Sequence, residues 1–211
     1  MSTLDPHKSK IVRSRPLGDE SRWIGLRAIE WIDPSGRHRV WESADRKTRK
    51  GEVDAVAVLA LIRRPSKPVH VLLVSQFRPP VGRCAIELPA GLVDAGEEGD
   101  EGARRAAIRE LREETGYTAS AEVQVSTEMV SDPGLTGANM KLCTVEISLA
   151  DDAPEPVAEP DEGEYIERHL VPLATLSESL AAFSRAGYAV DARLAHFAHG
   201  LALANRMTII Q

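Results

Sequence analysis

Apolar positions along the chain change period several times, and each change marks an element. Residues 24–32 alternate loosely, Asp33-Pro34-Ser35-Gly36 is a turn with proline at its second position, and residues 37–41 resume the alternation, which predicts a β-hairpin. After a charged stretch over 43–52, residues 53–62 and 69–77 are strongly apolar and β-branched, as central strands are. Residues 84–88 read as a third strand. The period then lengthens: Ala103, Ala107, Ile108 and Leu111 recur at spacings of three and four, so 103–115 is an amphipathic helix with Gly116 as its stop. Residues 121–130 and 140–149 alternate as a strand pair around the turn-rich 131–137. A strand over 165–171 and helical patterns over 174–185 and 191–204 close the chain. Strands and helices mix without regular alternation, which predicts an α+β fold with a mixed sheet between helices.

Residues 1–20 carry Lys, Arg, Ser and Pro without periodicity and are expected to be a mobile lead-in. The expected organisation is this lead-in, an N-terminal β region over 21–50, and one domain over 51–211. A two-stranded ribbon is marginal alone, so the hairpin must pack on the domain or on a second subunit. All the tryptophans, Trp23, Trp31 and Trp41, fall in it. Hairpin packing and stacking on a base both remain open for them.

Charge changes the picture at the helix. Glu110 and Glu114 lie nearly above one another with Glu113 beside them, on the flank of the apolar stripe. Like charges at these spacings cost a bare helix roughly 0.2–0.5 kcal/mol per pair. Arg109 and Arg112 offset part of this, and either a solvated acidic face or a bound cation can account for the rest. Residues 151–164 hold seven acidic residues and three prolines with little to bury. Such long loops are usually functional or disordered.

Gly91 followed by Arg109-Glu110-Leu111-Arg112-Glu113-Glu114-Thr115-Gly116-Tyr117 resembles the signature of the Nudix hydrolases. The C-terminal half matches letter for letter. In the first half, Glu97 keeps the spacing from Gly91 and Glu101 keeps the spacing to Arg109, so four extra residues have entered, assigned to 98–101. Glu97 is preferred as the first signature glutamate. From Trp23 onward the chain is similar to the ADP-ribose pyrophosphatase branch, through Arg39-Val40-Trp41-Glu42-Ser43, Gln76-Phe77-Arg78-Pro79-Pro80, Glu87-Leu88-Pro89-Ala90-Gly91-Leu92, Asp132-Pro133-Gly134-Leu135 and Asp161-Glu162-Gly163-Glu164-Tyr165. Pro133, sixteen residues beyond Tyr117, matches that branch's specificity marker.

The resemblance implies an α/β/α sandwich and Mg2+-dependent hydrolysis of ADP-ribose to AMP and ribose 5-phosphate, with Mn2+ as an alternative ion. It also implies a homodimer formed through the N-terminal β region. Metal binding falls to Glu110, Glu114, Glu113 and the Ala90 carbonyl, and adenine stacking to Trp23 and Trp41. The base is Glu164 on the acidic loop, with Glu162 and Glu167 as fallbacks. Arg109 orients a neighbouring glutamate. Arg78 is the expected phosphate clamp, since a guanidinium pairs bidentately with phosphate oxygens, and Arg46 the second candidate. Glu42, Asp54, Leu92 and Asp132 complete the expected substrate contacts. Other nucleoside diphosphate sugars, oxidised nucleotides, and a non-catalytic nucleotide-binding module are the competing readings.

Composition narrows the partners. With 43% hydrophobic and 27% charged residues the chain is an ordinary globular protein. Its net charge of −6, without a basic stripe, argues against nucleic acid as the main partner. No run approaches the roughly 18–20 apolar residues needed to span a bilayer, and the N-terminus lacks the apolar centre of a secretory signal. A cytoplasmic protein is expected, with nuclear entry left open. Cys84 and Cys143, in apolar strand contexts, read as buried thiols.

Overall fold

The structure, a computed structural model, describes residues 5–8, 20–119 and 122–207. Most of the expected lead-in over 1–20 lies outside the described residues. Its described turn, Pro6–Lys8, places His7 Nε2 2.7 Å from the Tyr188 hydroxyl.

Strands β1 (Ile24–Ile32) and β2 (His38–Arg46) form a two-stranded antiparallel sheet of their own. The Asp33 carboxylate builds the turn, accepting the N–H groups of Ser35 and Arg37 at 2.9 and 3.0 Å. β2 runs five residues beyond Trp41, through a stretch that its charge marks as linker. The charge is answered there: Asp45 accepts the Gly137 N–H at 3.0 Å, and the Ala44 N–H donates to the Leu135 carbonyl.

The strands of the main sheet are β3 (Ala55–Arg64), β4 (Lys67–Arg78), β5 (Arg83–Glu87), β6 (Ala90–Leu92), β7 (Gln124–Val125), β8 (Met129–Val130), β9 (Asn139–Ser148), β10 (Glu167–Pro172) and β11 (Ala189–Val190). Among the described residues this sheet is mixed and nine-stranded, with the path β11-β5-β4-β3-β9-β7 and three side pairings. β3 pairs in parallel with β9, and β11 with β5. The pleat of β3 divides the core. Val56, Val58, Ala60 and Ile62 face the helix α1 (Gly99–Thr115), whereas Leu59 faces α2 (Leu176–Arg185) and α3 (Ala192–Arg206). Helices on both faces make the α/β/α sandwich. Cys84 and Cys143 are buried free thiols.

Two expected elements differ. The strand over 121–130 is broken into β7 and β8, because Ser126 Oγ leaves the strand pattern and accepts the Leu142 N–H at 2.9 Å. α1 starts a turn early, at Gly99 rather than 103. Gly99 and Gly102 have low helix propensity and hide that turn from periodicity. Gly102 is nevertheless required there, since a Cβ would strike the backbone of Glu97. The buried stripe is Ala103, Ala106, Ala107 and Leu111; Ile108 is 40% exposed. Among the described residues no helix is long and apolar enough to cross a membrane.

Candidate active site

β6 and α1 bring the signature residues together. β6 pairs with the start of β3, with Val56 opposite Gly91 and Ala57 opposite Ala90. The backbone of this strand then lies against the acidic side of α1. A Cβ on Gly91 would fall on the Glu110 carboxylate, so glycine is the residue that permits this approach. Gly91→Ala is therefore expected to displace Glu110 and cut turnover sharply with the fold retained. Circular dichroism and a turnover assay check it, and unchanged turnover would show that Glu110 has no fixed role.

The three acids are not equivalent. Glu114 is only 2% exposed and accepts the Ala90 N–H at 3.1 Å. Burial pushes its pKa up to about 8, with the charges of Glu110 and Glu164 adding to the shift. Glu110 is raised as well, first by burial, against the pull of Arg109. Glu113 is the most open of the three. Arg109 Nη1 donates to Glu110 at 2.8 Å and to Glu113 at 3.2 Å, while its Nη2 donates to the Leu92 carbonyl at 3.0 Å. Arg109 thus bridges two of the three acids and the backbone of β6. Its Nε is buried without a partner among the described residues.

Glu97 joins this network, accepting the Asp94 N–H at 2.9 Å and standing 3.7 Å from Arg109 Nη2. Glu101 instead pairs with Arg104 at the surface. Residues 98–101 form the N-cap and first turn of α1.

Among the described residues no three acidic, histidine or cysteine side chains converge on one point. Glu110 and Glu113 are turned to Arg109, and Glu114 to the Ala90 N–H. The donor set is nonetheless one for a hard cation: carboxylate oxygens beside a strand backbone, with Glu110 and Glu114 pushed up first by burial and further by neighbouring acidic charge. A bound divalent cation would favour the charged forms of these acids.

Other expected residues divide between this centre and a second cluster. Arg78 pairs with Glu87 at 2.8 Å, and its charge acts favourably on Glu114. Exposed Glu164 acts electrostatically on both Glu110 and Glu114. Glu167 faces away, 3.5 Å from Ser75 Oγ and from His7. Arg46 and Asp54 line a cavity of about 260 Å3 beneath the hairpin with Arg27, Asp45 and Arg49. Asp54 is held there by Arg49 Nε at 2.8 Å and by the Asn139 N–H at 3.0 Å. Sequence reasoning missed Arg49; its only mark is its place in a charged stretch.

Trp23 is 59% exposed, with the Arg22 guanidinium 4.6 Å from its ring centroid. Trp41 is 51% exposed and donates from Nε1 to the Gly134 carbonyl at 3.1 Å. That bond ties the hairpin to the loop bearing Asp132, whose own carbonyl caps Leu135 and Thr136. Glu42 is exposed on β2 beside Trp41.

The NUDIX domain model matches residues 53–190. An ADP-ribose pyrophosphatase of Saccharomyces cerevisiae is 39% identical over 99% of this chain and 91% of its own. An ADP-sugar pyrophosphatase of Mus musculus is 37% identical over 96% and 91%. An uncharacterised Nudix hydrolase of Schizosaccharomyces pombe is 45% identical over 92% and 93%. A solved ADP compounds hydrolase superimposes with a TM-score of 0.51 at 21% identity, covering 82% of this chain and 80% of that one, and shows the shared fold. With an intact arginine and three glutamates on α1, a domain match over most of its length and relatives matched nearly end to end, the chain belongs to the Nudix hydrolases.

Proposed function

We propose that the protein hydrolyses the diphosphate bond of ADP-ribose to AMP and ribose 5-phosphate, using Mg2+, as a homodimer. The carrying observation is buried Glu114 held by the Ala90 N–H, with the Glu110 carboxylate against Gly91 and the charge of Glu164 acting on both. The names of the yeast and mouse relatives support the substrate. Glu110, Glu114 and the Ala90 carbonyl would hold the ion, with Glu113 beside them. When bound, it neutralises the diphosphate and lowers the pKa of water near phosphorus.

The chain's own residues do the rest. Arg109 fixes Glu110 and Glu113 while anchored on Leu92. Arg78 offers a guanidinium to the phosphates. Glu164 accepts the proton of the attacking water as its oxygen bonds to phosphorus and the bridging P–O bond breaks. The exposed rings of Trp23 and Trp41 suit adenine, and Arg46 with Asp54 would shape the pocket under the hairpin.

The hairpin supports the dimer. Leu26, Ile32 and Val40 are each more than 60% exposed on a ribbon that would be marginal alone. Light scattering at micromolar concentration should give twice the 23.0 kDa chain mass. A 23.0 kDa species alone would overturn the homodimer.

A broader range of ADP-sugars is a second reading, favoured by the name of the mouse relative. Incubation with ADP-ribose, and separately with other nucleoside diphosphate sugars, with product identification, tests both. AMP released only with Mg2+ and fastest from ADP-ribose is expected. Faster cleavage of another sugar favours the second reading, and binding without cleavage would overturn both.

A further inference from the structure

The acidic loop is strapped to the end of α1, although its composition offers little to bury. The Glu159 N–H donates to the Glu113 carbonyl at 2.9 Å. Gly116, with φ 75°, ends the helix directly beneath the carbonyl of Val157, where a Cβ would collide. Further back, Glu155 accepts the Tyr117 hydroxyl at 2.8 Å and pairs with buried Arg64 at 3.4 Å.

One guanidinium closes the strap. Arg168 Nη1 donates to the Thr115 carbonyl and to the Pro156 carbonyl, both at 2.6 Å. The first is an orphan carbonyl at a helix C-terminus, where a cation is also favoured by the helix dipole. Arg168 itself is fixed in the main sheet, opposite Val74 on β4. It stands four residues beyond Glu164, and Pro156 stands eight before. The segment carrying Glu164 is therefore pinned on both sides, and the pin is shared with the helix that carries Glu110 and Glu114.

We propose that Arg168 is a positioning residue: by joining the loop to the C-terminal turn of α1 it sets where Glu164 stands relative to Glu110 and Glu114. The proposal rests on the reading of Glu164 as base. Arg168 lies outside the signature and binds two backbone carbonyls, so no side-chain pattern in the sequence marks it. An alanine side chain donates to neither carbonyl. A lysine keeps the charge and several donors on a shorter stem.

The test is the pair Arg168→Ala and Arg168→Lys, each also made in a Glu164→Gln background, with kcat, KM, Mg2+ affinity and Tm measured. Misplacing a reacting group by about 1 Å costs on the order of 100-fold in rate. Arg168→Ala is expected to lower kcat roughly 10- to 100-fold, with KM and Mg2+ affinity within about twofold, and Arg168→Lys to recover most of it. In the Glu164→Gln background the same alanine substitution should change kcat by less than about twofold, because coupled groups are not additive. With Glu164→Gln itself slow, a further full loss in the double variant overturns the proposal. So does a lowered Tm with normal kcat for the folded enzyme. If Glu164→Gln leaves kcat normal while Arg168→Ala still slows it, the base reading falls and the loop still needs its pin, with another acid of the loop taking the proton.

Discussion

Replacing Glu114 by glutamine should lower kcat by roughly three orders of magnitude, the scale of several kcal/mol of lost charge stabilisation. It should also make the metal-free protein more stable. Glu114 takes up its proton near pH 8 in the folded chain against 4.5 ordinarily, chiefly because it is buried. Between these values the folded state binds more protons than the unfolded one, so stability falls as pH rises through that window. At 1.36 kcal/mol per pKa unit the loss approaches about 5 kcal/mol above pH 8. Glutamine keeps an oxygen for the Ala90 N–H and removes the charge. Melting curves without metal should therefore show Glu114→Gln above the wild type at pH 8.5, with the gap closing toward pH 4.5. Mg2+ should raise the Tm of the wild type and not of the variant. Parallel pH curves for the two proteins would show that Glu114 is not held against its charge. The stability cost and the activity then share one cause, a buried acid kept for its cation.

Glu164→Gln is expected to slow kcat roughly 10²- to 10⁴-fold, the usual worth of a general base. Glu164 is exposed on the loop, outside the Arg109 network, so Mg2+ affinity should stay within about twofold of the wild type. Titration calorimetry beside steady-state kinetics separates the two effects. A fall in Mg2+ affinity matching that of Glu114→Gln would move Glu164 among the ion's ligands. Unchanged kcat would pass the base role to Glu162, since Glu167 is turned toward Ser75 and His7.

The sandwich and the acidic helix were legible because both are periodic. β3 and β4 are long apolar runs, and the stripe on α1 carries its glutamates at fixed angular positions. The start of α1 was hidden by glycines. Gly102 is needed for close approach to Glu97, a contact that periodicity cannot express. β2 was cut short because Asp45 and Arg46 read as linker, and the partners that keep them in a strand lie some ninety residues further along, around Leu135 and Gly137.

Within the site, neighbours along the chain were readable and partners across the fold were not. The signature gave Arg109 beside Glu110 and Glu113, and the structure adds its hold on Leu92 and Asp94. Arg49 on the Gly137 carbonyl, and Arg168 on the carbonyls of Thr115 and Pro156, are contacts to backbone far along the chain, which leave no local pattern. The acidic loop, with its composition of a solvated segment, is held by such contacts.

The most direct measurement is the anomalous scattering of Mn2+ in crystals of the protein soaked with that ion and a slowly cleaved ADP-ribose analogue. The account predicts a peak bounded by the Ala90 carbonyl, Glu110 and Glu114, with the diphosphate beside it. A peak confined to the acidic loop over 151–164, or none near α1, would contradict it.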